Sequence, residues 1–168
     1  MQDVITYRML TRRDVKAFCE LRLYGLRESP QAFLEDFEES EKEPPEAFEK
    51  YFDNGWIAGA FGTAHLEGVA GLYIHKGKKL CHKGTVWGVY VLPEARGQRV
   101  AKQLVTMVMK EGQAAGLELI QLSTDESNKQ TLSLYRSLGF RTYGIERHVL
   151  KFPTGHVNYV LMEKFLKE

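Results

Sequence analysis

Apolar side chains first fall at Ile5, Tyr7 and Met9 with more polar neighbours between them, and that period of two predicts a short strand. The period then lengthens. Val15, Phe18, Cys19, Leu21, Arg22 and Leu26 recur at helical spacing, with Thr11 or Asp14 available as a cap. Ser29-Pro30 stops that helix, because a residue before proline avoids the α region. Strand-like runs follow at 56–61, 69–75 and 85–91, punctuated by Gly55, Gly62, Gly68 and Gly77. A long helix is predicted next, with Val100, Ala101, Leu104, Val105, Val108 and Ala115 on one side and Gly116 where a helix end prefers glycine. A buried-looking strand spans 117–124, and Ser127-Asn128-Lys129-Gln130 reads as a capping box for a helix ending at Gly139. Strands at 141–150 and 157–165, joined through Pro153-Thr154-Gly155, complete the series. No repeat, linker or low-complexity segment interrupts it, so residues 1–168 are expected to form one α/β domain.

The segment from Glu35 to Glu43 departs from this pattern. It carries Glu35, Asp36, Glu38, Glu39, Glu41 and Glu43 against Lys42, either as a solvated face or as an electrostatic lure for a cationic acceptor. Pro44-Pro45 closes the run, and Pro45 suits the first turn of a short helix through Phe48 to Tyr51.

Composition narrows the class. Hydrophobic residues are 43% and charged residues 27% of the 168, as in soluble globular domains, which argues against disorder or fibrous structure. Apolar runs are too short for a membrane span, and Met1-Gln2-Asp3-Val4 shows no basic lead into a secretory signal. Lys plus Arg is 23 against 22 for Asp plus Glu, so a net charge of +1 gives nucleic-acid binding no basic surface. Cys19 and Cys81 fit no metal, redox or disulfide framework, so a reducing, cytoplasmic setting is expected. His65, His75, His82, His148 and His156 are scattered, and no metal site is expected. Phosphate-loop, dinucleotide and serine-elbow motifs are absent.

The chemistry is concentrated between Val86 and Leu104. A strand ends in Leu92-Pro93, and Arg96-Gly97-Gln98-Arg99 leads directly into the long helix at Val100-Ala101-Lys102. Exposed amides at a helix N-terminus, with the positive end of its dipole, make a phosphate site, and Arg96, Arg99 and Lys102 add cations nearby. By itself this junction is equally compatible with a structural turn.

A second segment, Asn128-Lys129-Gln130-Thr131-Leu132-Ser133-Leu134-Tyr135-Arg136-Ser137-Leu138-Gly139-Phe140, supplies context. Together the two resemble the acetyl-CoA signature of the Gcn5-related N-acetyltransferase (GNAT) superfamily, V-x-P-x-x-R-G-x-G-x-G/A followed by N-x-x-A-x-x-L-Y-x-x-x-G-F. Val91, Pro93, Arg96, Gly97 and Ala101 match the first part; Asn128, Leu134, Tyr135, Gly139 and Phe140 match the second. Leu26-Arg27-Glu28-Ser29-Pro30-Gln31-Ala32-Phe33 resembles the acceptor-side loop of uncharacterised small bacterial members, and Tyr143-Gly144-Ile145-Glu146-Arg147 and the last strand are similar to the same group. Two positions differ: Arg99 replaces the second glycine of the loop and Thr131 the usual alanine. The first turn of a helix has negative φ, so Arg99 is expected to be sterically unstrained.

The resemblance implies a mixed, mostly antiparallel sheet of about seven strands with helices on both faces. Its parallel strands 85–91 and 117–124 would splay to admit acetyl-CoA. The implied activity is transfer of the acetyl group to a primary amine of a small molecule or peptide, by a monomer or homodimer acting without nucleic acid, membrane or metal. The backbone of Val89 and Val91 would pair with pantetheine. The amides of Gly97, Gln98, Arg99, Val100, Ala101 and Lys102, beside Arg96, would take the pyrophosphate. Asn128 would contact the pantetheine arm, and Tyr135 would protonate the departing thiolate. Without the resemblance, Tyr135 is a core aromatic in step with Leu132 and Leu138, and Asn128 a helix cap. Phe33, Tyr73 and Trp87 are candidates for an acceptor pocket or for ordinary core, and Glu28 is a further acceptor-side candidate. No carboxylate lies on 85–91, which leaves the base unassigned between Glu28, His75 and water. A non-catalytic acyl-CoA sensor and an interaction domain are the alternatives.

Overall fold

A computed structural model describes residues 4–166; Met1–Asp3, read above for a leader, lie outside them. Among the described residues, seven strands form one sheet: β1 (Thr6–Met9), β2 (Gly55–Phe61), β3 (Leu66–Ile74), β4 (Lys83–Val91), β5 (Leu119–Asp125), β6 (Arg141–Phe152) and β7 (Gly155–Phe165). Their spatial order is β1-β2-β3-β4-β5-β7-β6. Every neighbouring pair is antiparallel except β4 and β5. The expected mixed, seven-stranded sheet is therefore present.

Alternation along the strands divides the apolar residues between the two faces. One face packs Ala58, Ala70 and Val86 under α3 (Val100–Ala114), through Leu104, Val105 and Val108, and beside the helix Lys129–Ser137. The other packs Ile57, Val69 and Tyr90 against α1 (Val15–Glu28), through Phe18, Leu21 and Leu26, and against a 3-10 segment at Pro45–Phe52. We number the short helix at Phe37–Ser40 α2 and the helix at Lys129–Ser137 α4. Asp36 caps α2, its Oδ1 accepting from the Glu39 amide at 3.1 Å. Most of the acidic run thus forms an exposed helical turn.

Boundaries moved where backbone bonds went elsewhere. Leu117 was expected in the fifth strand, but its amide bonds back to Gly112 O at 3.0 Å, finishing the α3 turn before β5 begins. The cap of α4 is Asn128 rather than Ser127. Asn128 Oδ1 accepts from the Thr131 amide at 3.1 Å, whereas the Ser127 amide and hydroxyl both donate to Asp125 Oδ1 at 2.8 Å.

Two irregularities shape the centre of the sheet. β4 and β5 pair only at Lys83–Leu119, Gly84–Ile120 and Thr85–Gln121, then diverge. In addition, Val69 pairs with Tyr90 but Gly71 with Trp87, so β4 carries one extra residue there. Gly88 takes up that bulge at φ +60°, a left-handed conformation that costs glycine little. The bulge shifts the alternation, so both Trp87 and Tyr90 face the α1 side.

Trp87 reaches that side because Gly71 leaves room for it. A Cβ at Gly71 would lie 2.6 Å from Trp87 Cζ2 and Nε1. The indole in turn stacks on Tyr51, with ring centroids 5.1 Å apart, and cannot retreat freely. We predict that Gly71→Ala destabilises the fold by about 1–3 kcal/mol through overpacking. A thermal melt should fall by several degrees; an unchanged melt would mean the ring finds another rotamer without cost.

Candidate active site

Where β4 leaves β5, a cleft of about 480 Å³ opens. Its walls are 86–91 of β4, Ser123–Asp125 at the end of β5, and Asn128, Thr131 and Tyr135 of α4. On its β3 side β4 stays paired, from Leu72–Val86 to Gly68–Val91. On the β5 side its backbone has no strand partner beyond Thr85, so an extended ligand bearing amides can occupy the missing strand's place.

The β4 end runs through a 3-10 turn at Pro93–Ala95 into the loop before α3. Gly97 lies at φ +82° and Arg99 at φ +60°, ψ 21°, immediately before the helix. The expectation of an unstrained, negative φ at Arg99 is therefore corrected. The position is left-handed, the conformation glycine adopts most easily, and a side chain there costs about 1 kcal/mol or more. Arg99 makes no side-chain cap, and the first intrahelical bond is Gln103 N to Arg99 O at 3.0 Å. The amides of Val100, Ala101 and Lys102 precede it and have no partner within the helix. With exposed Gly97 and Gln98, they form an open cradle suited to an anion.

Tyr135 is buried and also lines the cleft, its ring edge-on to Phe140 with centroids 5.8 Å apart. It belongs to the core and also borders the cleft. Burial pushes its phenol well above the ordinary tyrosine range, so it keeps its proton at any working pH. Asn128 likewise caps α4 and lines the cleft.

A second cavity, of about 580 Å³, meets the cleft at Val86, Trp87 and Gly88. Phe33, Tyr73 and Trp87 all line it, so these three candidates are brought together. Sequence reasoning missed its polar members, Arg22, Glu35 and Tyr51. Arg22 NH2 donates to Glu35 Oε1 at 2.7 Å, and the Tyr51 hydroxyl donates to the same oxygen at 3.1 Å. The signal was present in the helical pattern, where Arg22 is the one charged residue among apolar positions of α1.

The model of the acetyltransferase (GNAT) family matches residues 23–140, which contain the cleft, the loop and α4. The chain belongs to that family. Its GNAT sheet superposes on a provisionally assigned acetyltransferase of Salmonella typhimurium, solved with its cofactor acetyl-CoA, with a TM-score of 0.83. That likeness covers 98% of this chain and 95% of the other at 15% identity. In sequence, the aminoalkylphosphonate N-acetyltransferase of Salmonella typhimurium is 26% identical over 149 residues, 79% of this chain and 92% of that protein. Mycothiol acetyltransferase of Pseudarthrobacter chlorophenolicus is 40% identical over 63 residues, but these are 38% of this chain and 20% of that protein.

Glu28 of this GNAT chain sits differently from its expected place. It does not line the second cavity. Its Oε2 accepts from Arg96 NH2 at 2.9 Å, the Tyr90 hydroxyl at 2.8 Å and the Ser29 hydroxyl at 2.6 Å. Arg96, through Nε, also donates to Val91 O at 3.0 Å. Arg96 thus ties α1 to the end of β4, and its side chain, 45% exposed, also lines the cleft. His75, the other base candidate, bonds through Nε2 to Thr85 Oγ1 at 2.9 Å, and burial with the nearby Lys83 cation lowers its pKa.

Hydrogen bonding to Arg96 holds the Glu28 carboxyl down at about 2, against an ordinary value of about 4.5. A carboxyl with a depressed folded pKa stabilises the fold above its unfolded pKa, and the contribution disappears as pH falls through the folded one. We predict that wild type exceeds Glu28→Gln in stability by about 1 kcal/mol or less near neutrality, since the pair is partly solvated. That gap should shrink from about pH 4.5 downward. Urea midpoints between pH 7 and 3 check this, and a gap independent of pH would remove the ion pair as its cause.

Proposed function

We propose that this protein is an acetyl-CoA-dependent N-acetyltransferase acting on a primary amine of a small molecule or peptide. The observation that carries the reading is the end of β4–β5 pairing at Thr85–Gln121, beside an uncapped helix N-terminus. When bound, acetyl-CoA supplies an acyl group activated as a thioester. The open edge of β4, including Val89 and Val91, holds the pantetheine arm by backbone bonds, and Asn128 borders it. The amides from Gly97 to Lys102 hold the pyrophosphate, with Arg99 and Lys102 adding positive charge. The bulge at Gly88 marks where the cofactor cleft opens into the acceptor cavity, and so where acyl group and amine meet. Free Cys19 and Cys81 thiols favour a reducing, cytoplasmic setting.

Tyr135 gives a proton to the departing thiolate. A thiol has a pKa of about 8.5, so protonation aids its departure; burial makes the phenol a weaker acid than a free tyrosine but keeps its proton in place until the thiolate forms. Proton removal from the amine has no dedicated carboxylate: Glu28 is fixed by Arg96 and held low. The amine therefore arrives neutral, or loses its proton to water. An alkylammonium has a pKa of about 10, so kcat/KM rises tenfold per pH unit towards the acceptor's own pKa and shifts when the acceptor is changed.

Calorimetric titration should give micromolar acetyl-CoA affinity, and thiol release with a panel of amines should give turnover. Tyr135→Phe keeps the ring and is expected to keep that affinity while lowering kcat by about 10²-fold. Wild-type turnover in the variant, with chemistry limiting the rate, would take Tyr135 out of the mechanism. Tight acetyl-CoA binding without transfer to any amine would instead support an acyl-CoA sensor.

A further inference from the structure

Arg22 has no part in acetyl transfer as derived above, yet it is among the most buried charges in the described chain. Its side chain is 5% exposed. Removing a guanidinium from water is costly unless something replaces the lost hydration. Glu35 replaces part of it, and the rings of Tyr51 at 4.7 Å and of Phe33 and Trp87 at 5.4 Å replace more. The replacement is incomplete. Among the described residues the only hydrogen bond given by the Arg22 side chain is the one from NH2 to Glu35. Nε and NH1 have no protein acceptor, and since no buried side-chain nitrogen or oxygen among the described residues lacks a partner, they open onto the cavity and its water, although a guanidinium carries five N–H donors.

NH1 points to a specific place. A Cβ built on Gly88 would come within 3.0 Å of it. Gly88 is the bulged residue of β4 and borders both the cofactor cleft and the acceptor cavity. A largely buried cation with spare donors open to the cavity therefore stands where acyl group and amine are to meet. At NH1 a simple alkylammonium meets another donor and no acceptor, although Glu35, 2.7 Å from NH2 and lining the same cavity, offsets the charge. An oxyanion is attracted, and Glu35 keeps the guanidinium plane fixed to receive it.

We propose that the acceptor is a small zwitterion, an amine bearing a carboxylate or comparable oxyanion on the adjacent carbon, as an α-amino acid does. Its oxyanion pairs with Nε and NH1 of Arg22, which sets the neighbouring nitrogen beside Gly88. Its side chain lies against Phe33, Tyr73 and Trp87, so apolar and aromatic side chains fit best. A cavity of about 580 Å³ is in the range of small-molecule sites. The inference rests on the acetyltransferase reading and adds the substrate class to it.

The test uses the wild-type chain, saturating acetyl-CoA and thiol release, with common apolar and aromatic α-amino acids each paired with its decarboxylated amine. The expected kcat/KM is at least about tenfold higher for the amino acid in each pair, the scale of a charged hydrogen bond. With every rate corrected for the fraction of neutral amine at the assay pH, amino acid amides, which imitate a peptide N-terminus, should fall with the decarboxylated amines. Arg22→Met should collapse the ratio towards one. Should that variant not fold, N-acetyl amino acids should inhibit wild type at least tenfold better than the N-acetyl derivatives of the decarboxylated amines. A preference for the decarboxylated amine overturns the zwitterion, as does an Arg22→Met variant that slows both members of a pair equally. Transfer to no amine at all, with acetyl-CoA still bound, overturns the transferase reading and this inference with it.

Discussion

Beyond Thr85 and Gln121 the two parallel strands at the centre of the sheet give up each other's hydrogen bonds. Buried backbone groups are almost always paired, so a gap at the middle of a sheet must be filled by water or by a ligand. The divergence is tolerable because each strand keeps its outer partner. β5 pairs with β7 along its whole length, from Leu119–Phe165 to Asp125–Tyr159, while β4 stays on β3. The gap then collects the chemistry. The loop carrying Gly97 and Arg99 leaves the end of β4, and Asn128 and Tyr135 follow the end of β5. Connections at the C-terminal ends of parallel strands converge on one side, which brings these distant segments around one cleft.

The bulge at Gly88 extends that constraint to the other face. One extra residue turns both Trp87 and Tyr90 towards α1. Tyr90 then reaches Glu28, and Trp87 stacks on Tyr51 above Arg22. Two ion pairs of different character follow. Arg96–Glu28 is half solvated and ties α1 to the end of β4. Arg22–Glu35 is desolvated on the arginine side and leaves donors free in a cavity. The first serves the architecture, and the second leaves donors facing the cavity, open to water or to a ligand.

The elements were legible in the sequence because their patterns are local. Period-two alternation marked β1, strand-like runs punctuated by glycines marked β2 to β4, and the spacing of Leu104, Val105 and Val108 marked α3. The family motif also pointed to Arg96, Ala101 and Tyr135, which line one cleft and which no periodicity could have joined. Three features were hidden for identifiable physical reasons. The conformation of Arg99 depends on how the loop enters α3, and only glycine at that position would have announced a left-handed residue. The role of Glu28 depends on Arg96 and Tyr90, both more than sixty residues away in sequence. Glu35 looked like one more charge in an acidic run, because its pairing with Arg22 is a tertiary contact. Arg22 itself was visible as a charge on an apolar helix face, and such misplaced charges merit weight as site candidates.

The account stands on the open edge of β4 and the uncapped start of α3 acting as one binding surface. Amide hydrogen exchange with and without acetyl-CoA tests this most directly, since exchange reports which backbone N–H groups acquire partners. Added acetyl-CoA should slow exchange across 86–91 and across Gly97 to Lys102 together, with the far edge strand β6 unchanged. Protection confined to other segments, with these two stretches exchanging as fast as before, would contradict the account.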